Sequence, residues 1–360
     1  MKLVIFGLTL SSSWGNGHAT LWRGLCRALA RSGHRVVFFE RDVPYYALHR
    51  DLTELPGTDL RLYPSWENAL PAALRETEDA DAAMVTSYCP DGVAASDLVL
   101  SSNVPVRVFY DLDTPVTLER LAAGQEVPYL PPEGLGGFDL VLSYTGGRAL
   151  DELRSRLGAR RVAPLYGSVD PGVHCPAEPV PAFAADLSYL GTYAVDRQEA
   201  LDRLFLEPAR QLPDQRFVIG GAQYPADFPW GSNIFFVRHL PPADHPAFYA
   251  SSPLTLNVTR AAMAGMGYCP SGRLFEAAAC GTAVLSDTWK GLAEFFEPGR
   301  EILVAGSTEE AIEAISLPRE EIARIAKAAR ERTLAEHTAE RRAGELVELI
   351  GTRVEEEIAV

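Results

Sequence analysis

The sequence predicts an α/β protein built from two doubly wound, Rossmann-like parallel-sheet domains in tandem, closed by a helical C-terminus. Three observations predict it. The 360 residues exceed what one hydrophobic core usually organises. Short β-branched or apolar runs alternate with longer segments of helical period, in two separate series. Between the series the pattern fails: APLYGSVDPGVHCPAEPVPAF, residues 163–183, accumulates Pro and Gly, as a linker does. The domains are accordingly set at 1–166 and 167–360.

In the first series the expected strands are KLVIFGL (2–8), RVVFFE (35–40), DLRLY (59–63), AAMVTS (82–87), VRVFYD (106–111) and DLVLSY (139–144). The clearest helix is 19–32, where Leu21, Leu25, Ala28 and Leu29 recur at spacings of three and four and Gly33 stops it. In the second series the strands are DLSYLG (186–191), RFVIGG (216–221), IFFVRHL (234–240), PLTLNV (253–258), TAVLSD (282–287) and EILVA (301–305). The last fifty residues read as helix, one of them opened by an S-x-x-E capping box, Ser307 with Glu310. Doubly wound sheets bind ligands outside the carboxyl ends of their strands, so two facing domains are expected to form a cleft.

Composition narrows the function classes. A formal net charge of -15 offers no basic field for a phosphate backbone, and nucleic acid is not expected as a partner. Five cysteines without CxxC spacing, odd in number, argue against a disulfide framework and for a reducing, cytoplasmic setting. The opening MKLVIFGLTLSSS lacks a small-residue cleavage pattern and reads as a buried first strand. No run approaches the roughly 20 apolar residues of a membrane span.

Chemistry is expected at the strand ends. In SGRLFEAAACGTAVLSD (271–287), Ser271 is a good N-cap and Gly272 lets a ligand approach the start of the helix. There unpaired N–H groups and Arg273 suit a phosphate. Glu276, three residues on, either pairs with Arg273 or accepts hydrogen bonds from two adjacent hydroxyls, as an acidic residue does for a ribose. In WGNGHAT (14–20), Gly15, Asn16 and Gly17 make a tight loop, and His18 sits where the helix start disfavours a charged imidazole, as a general base requires. In YDLDTP (110–115), Asp111 and Asp113 have a D-x-D look. A helix N-cap through Asp113 or Thr114 is the structural alternative to a base or acceptor-binding role for Asp113. Arg197 in LGTYAVDRQ is placed to reach a diphosphate or to be solvated. Asn257 lies at a strand end, and Trp289 either covers a ligand or closes the core. His174 and Cys175 lack further ligands at metal-binding spacing, so no metal is expected.

RLFEAAACGTAVLSDTWKGLAEFFEPGREILVAGSTEEA (273–311) resembles the C-terminal signature of two-domain nucleotide-sugar glycosyltransferases of the GT-B fold, most closely the CgeB-type (spore maturation protein) branch. GLTLSSSWGNGHATLWRGLCRALARSGHRVVFFERD (7–42) and VFYDLDTPVTL (108–118) are similar to the same branch. The resemblance implies a glycosyltransferase using a nucleoside diphosphate donor such as a UDP-sugar, with no cofactor and an unidentified acceptor. It also implies that Glu276 holds the donor ribose, that the loop before its helix faces the diphosphate, and that a histidine placed like His18 serves as base in inverting relatives. Many retaining members carry an acidic residue eight positions before the ribose glutamate; here that position is Tyr268. The departure keeps two other readings open, a catalytically weakened nucleotide-sugar binding protein and a nucleotide-sugar epimerase. A nicotinamide-dependent oxidoreductase would need a glycine fingerprint after the first strand, which is missing.

Overall fold

The computed structural model describes residues 1–358, with side chains as far as residue 351. The chain forms two compact units, Met1–Gly167 together with Ala339–Val360, and Ser168–Thr338.

The first unit holds β1 (Lys2–Gly7), β2 (Arg35–Arg41), β3 (Thr58–Tyr63), β4 (Ala82–Thr86), β5 (Val106–Asp111), β6 (Leu140–Ser143) and β7 (Val162–Pro164). They form one parallel sheet in the order β3-β2-β1-β4-β5-β6-β7. Side chains alternate across it with the period of two that a strand imposes. Leu3, Ile5, Val36, Phe38, Met84 and Val108 enter the core on one face. Val4, Phe6, Val37, Phe39, Val85 and Phe109 enter the core on the other. Both faces are dry, which explains why these strands read as unbroken apolar runs. Each such side chain contributes on the order of 1.5–3 kcal/mol by burial.

The second unit holds β8 (Leu187–Leu190), β9 (Phe217–Gly221), β10 (Ile234–Arg238), β11 (Leu254–Asn257), β12 (Ala283–Ser286) and β13 (Leu303–Val304). These are parallel in the order β10-β9-β8-β11-β12-β13. In each sheet the winding reverses once, between β1 and β4 and between β8 and β11. Such reversals open a crevice at the carboxyl edge.

Two expectations need correction. β7 lies where the linker was expected to begin; only its parallel pairing with β6 identifies it. The last helix, Ala339–Ile358, belongs to the first unit rather than to the second domain. Its stripe Ala339, Ala343, Leu346 and Ile350, at spacings of four and three, shares a core with Trp22, Leu25 and Leu29 of the helix His18–Arg31. An Arg31–Glu340 ion pair and a 3.3 Å bond from Arg342 Nε to the Gly167 carbonyl fasten it. The Ser307 cap holds as expected, its hydroxyl accepting from the Glu310 N–H at 3.2 Å. The Glu310 carboxylate, however, accepts from Gly306 N–H (2.6 Å), one residue before the cap.

Candidate functional site

In the second unit, Arg273 marks the sheet reversal. It lies on the helix Gly272–Ala279, which buries Leu274, Phe275, Ala277 and Ala278 and keeps Arg273 and Glu276 off that face. Its Nη1 donates to the Leu190 carbonyl (2.7 Å), Nη2 to the Val258 carbonyl (3.4 Å) and Nε to Ser271 Oγ (3.2 Å). The guanidinium thus ties the ends of β8 and β11, the two strands flanking the reversal. Gly191 makes the approach feasible: a Cβ there would lie 2.5 Å from Arg273 Nη1. The Ser271 hydroxyl was expected to cap the helix. It turns to Arg273 instead, and no side chain caps the first turn.

Arg197 adds a second charge to the same edge. Its Nη1 donates to the Thr192 carbonyl (3.0 Å), while its Nε is buried without a protein partner. Burial first, and Arg273 second, lower its pKa from the ordinary arginine value. Asp196, next in sequence, is committed to Arg260 at 3.1 Å. Among the described residues no ion pair joins Arg197 or Arg273 to a carboxylate. Two neighbouring guanidiniums without an acidic ion-pair partner, beside an uncapped helix start, make this sheet edge electropositive, chemistry that suits an anion.

Glu276 does not pair with Arg273. Its carboxylate faces two imidazoles, Oε1 at 4.0 Å from His174 Nε2 and Oε2 at 3.9 Å from His245 Nδ1, and those nitrogens lie 3.4 Å apart. Burial holds the His245 pKa down to about 4, against the opposing pull of Glu276. Tyr249 lies alongside; burial and then the Glu276 carboxylate raise its phenol well above the usual range. The spacing argument that left His174 without further ligands is thereby corrected. Its neighbours come from residues 71 and 102 positions away, beyond the reach of a local motif.

Asn257 and Trp289 stand apart from this group. Asn257 is buried and donates through Nδ2 to Ser286 Oγ (3.2 Å). It belongs to a network in which Asp287 accepts from the Thr259 backbone and hydroxyl. Trp289 is buried against Phe295, at a centroid distance of 6.0 Å, and closes the core. Tyr268 adopts φ +50°, and a Cβ on Gly291 would lie 2.5 Å from its ring, so the tyrosine is wedged where only glycine leaves room.

In the first unit the structure brings His18 and Asp113 together. His18 opens the helix His18–Arg31 after β1; Asp113 precedes the helix Thr114–Ala122 after β5. His18 Nε2 lies 3.6 Å from Asp113 Oδ2, with side chains 19% and 17% exposed, so solvent reaches both. Asp113 holds the N-cap position without making a capping bond, which leaves its carboxylate to the histidine. Asn16 explains the preceding loop, since its Oδ1 accepts from His18 N–H (3.1 Å) and Ala19 N–H (3.2 Å) and satisfies the helix start that Gly17 cannot. Gly15 supplies the turn with φ +67°, whereas a Cβ on Gly17 would meet nothing.

Sequence reasoning missed the supports of this pair. Glu40, fully buried at the end of β2, accepts from Leu10 N–H (2.6 Å), Ser11 N–H (2.9 Å) and Thr9 Oγ1 (3.0 Å), pinning the loop after β1. Tyr88, at φ +63°, stands 5.6 Å from the His18 ring. Its phenol pKa is raised by burial and next by Asp113. Asp111 is fully buried, and burial lifts its pKa to about 6. Among the described residues, Asp111 and Asp113 find no third ligand to make a metal site.

A family model described as glycosyl transferase-like matches residues 197–348, a span that includes Arg197, Arg273, Glu276 and both segments around them. No curated protein sequence matches the chain. Among solved structures, sucrose-phosphate synthase from Thermosynechococcus elongatus aligns with a TM-score of 0.71 at 17% identity over 98% of each chain. HepE from Anabaena in complex with UDP and glucose gives 0.69 at 13% identity, over 98% of this chain and 100% of that one. An alpha-glucosyltransferase in complex with UDP-glucose and DNA containing an abasic site gives 0.69 at 12%, over 98% and 99%. The fold is GT-B. At such identities the likeness is one of fold, with paired Rossmann-like sheets of seven and six strands. No helix among the described residues is long and apolar enough to cross a membrane.

Proposed function

We propose that the protein is a glycosyltransferase that moves a sugar from a nucleoside diphosphate, with UDP as the first candidate, to an acceptor hydroxyl without a metal in the transfer step. The observation that carries this reading is the pair of guanidiniums at the β8/β11 reversal, lacking acidic partners and lying beside an uncapped helix start. Departure of a nucleoside diphosphate puts negative charge on its β-phosphate, and donors fixed before reaction stabilise that charge best. Arg273 is fixed by three bonds, and Arg197 stands beside it. Glu276 is assigned to the ribose hydroxyls, with Ser271 and Gly272 presenting the helix start to the diphosphate. The UDP complexes of structural relatives support the choice of nucleotide.

The acceptor's proton is assigned to His18, with Asp113 stabilising the imidazolium that forms. The loop Gly15–Asn16–Gly17 is assigned to the acceptor side. A net charge of -15 disfavours a nucleic-acid acceptor. Resemblance to the CgeB-type branch, and a reducing cytoplasmic setting consistent with five cysteines none of which is in a disulfide, complete the reading. Titration calorimetry against nucleoside diphosphates tests it, with Glu276→Ala beside wild type. Micromolar UDP binding that Glu276→Ala weakens is expected; no binding of any diphosphate, or affinity indifferent to Glu276, would reject the assignment.

Tyr268 favours a second reading. It occupies, in a left-handed conformation, the position where the family resemblance expects an acidic group facing the sugar. A protein that binds nucleotide but never releases it from any sugar donor would satisfy that reading, and a donor-consumption assay separates the two.

A further inference from the structure

The strongest chemistry outside the proposed transfer is the convergence of His174, His245 and Glu276. Three separate backbone segments supply them: the turn in which His174 N–H bonds the Asp170 carbonyl at 2.9 Å, the start of the helix His245–Ala250, and the helix Gly272–Ala279. All three ligand atoms lie within 4.8 Å of one another. Their side chains are 1%, 13% and 12% exposed, so the group is enclosed, with His245 and Glu276 still in partial contact with solvent.

A tetrahedral zinc ion with bonds of about 2.0–2.1 Å holds its ligand atoms roughly 3.3 Å apart. The two imidazole nitrogens already stand 3.4 Å apart. Each carboxylate oxygen faces one histidine, at 4.0 and 3.9 Å, and a single ligating oxygen lies within 4.8 Å of both nitrogens, so a carboxylate shift of at most about 1.5 Å meets the same geometry. Two imidazoles and one carboxylate suit zinc, iron, cobalt or nickel far better than magnesium or calcium, which prefer all-oxygen shells.

We propose that His174 Nε2, His245 Nδ1 and the Glu276 carboxylate bind one divalent transition metal, zinc in class, with a fourth position open, and that metal there withdraws Glu276 from the donor nucleoside. The site stands independently of the proposed function; only the antagonism rests on it. Such a metal would act as a brake on donor binding, outside the transfer step.

The test uses the full chain and Zn2+ or Co2+ alone. One equivalent of Co2+ should bind with the visible absorption of a four- or five-coordinate site, and Zn2+ should displace it. His174→Gln and His245→Gln should each weaken Zn2+ binding at least tenfold, while Mg2+ leaves the cobalt spectrum unchanged. Melting curves establish that both variants are folded, and His245→Asn provides a second probe should one fail. Absence of stoichiometric binding, or affinity unmoved by both substitutions, would overturn the site. Zn2+ should also raise the apparent Kd for UDP in wild type but not in His245→Gln, a comparison that cancels chelation of zinc by UDP in solution. If zinc requires both histidines and UDP is indifferent to it, the metal site holds and the brake falls, and the Glu276→Ala calorimetry then decides whether the ribose assignment falls with it.

Discussion

The two sheets reverse their winding in the same way, yet their carboxyl edges carry opposite chemistry. At β8/β11 two arginines gather without acidic partners, one of them bonded to the ends of both strands. At the edge of the first sheet the gathered groups are Asp111, Asp113, Tyr88 and one histidine. In the proposed scheme the same backbone framework serves as an anion-binding edge once and as a proton-accepting edge once. Polarity at a reversal is set by the few residues that follow the strands, and the winding only supplies the place.

The largest effect that sharpens this contrast is expected at the proton-accepting edge. His18→Ala should lower kcat for sugar transfer about 10²–10⁴-fold. UDP affinity measured by calorimetry should stay unchanged; a parallel loss of UDP binding would erase the division of labour. Arg273→Ala should cost about 2.7–4 kcal/mol in the transfer barrier, and it should weaken UDP binding as well. Wild-type UDP release from a sugar donor in that variant would remove the anion edge from the scheme.

A third test concerns stability. Burial lifts the Asp111 pKa from 3.8 to about 6, so the folded state keeps a proton that the unfolded chain releases. The sign follows: Asp111 is neutral in both states well below pH ~4, and its ionisation cost lowers stability as pH rises from ~4 to ~6 and levels off above that. Between pH 4 and 7, wild type should lose about 2 kcal/mol relative to Asp111→Asn, followed by denaturant unfolding at each pH. Equal slopes for the two proteins would show that the carboxyl is not desolvated as described. The smallest effect is a control far from either edge: Ser307→Ala, which removes the cap on Glu310 N–H, should lower stability by about 1 kcal/mol and leave turnover intact.

Much of the architecture was legible because both strand and helix write their periods into the chain. Every strand expected from the two series is present, with ends within two residues of those expected. β7 was hidden because Val162–Pro164 is too short to carry a period and is defined by its pairing with β6. The C-terminal helix was legible as a helix but not as a member of the first unit, since its apolar stripe does not say which core it enters. Site residues divided similarly. His18, Asp113, Arg197 and Arg273 stand at strand ends where chemistry is expected, but the convergence on Glu276 of His174 and His245 has no local signature. Asn257 and Trp289 carry the right chemistry for a ligand, yet their surroundings turn them inward.

The sequence by itself determined the alternation of strands and helices, the two-sheet organisation and the acidic balance, because these depend on periodicity and composition, which local side chains dictate. Tertiary structure alone decided which long-range neighbours each polar side chain meets. It turned Ser271 from cap to arginine partner, left Arg197 without a carboxylate and set two histidines against Glu276. The physical reason is range: a helix or strand is selected over a few residues, whereas the field and hydrogen bonds at a side chain are made by groups brought together from distant parts of the chain.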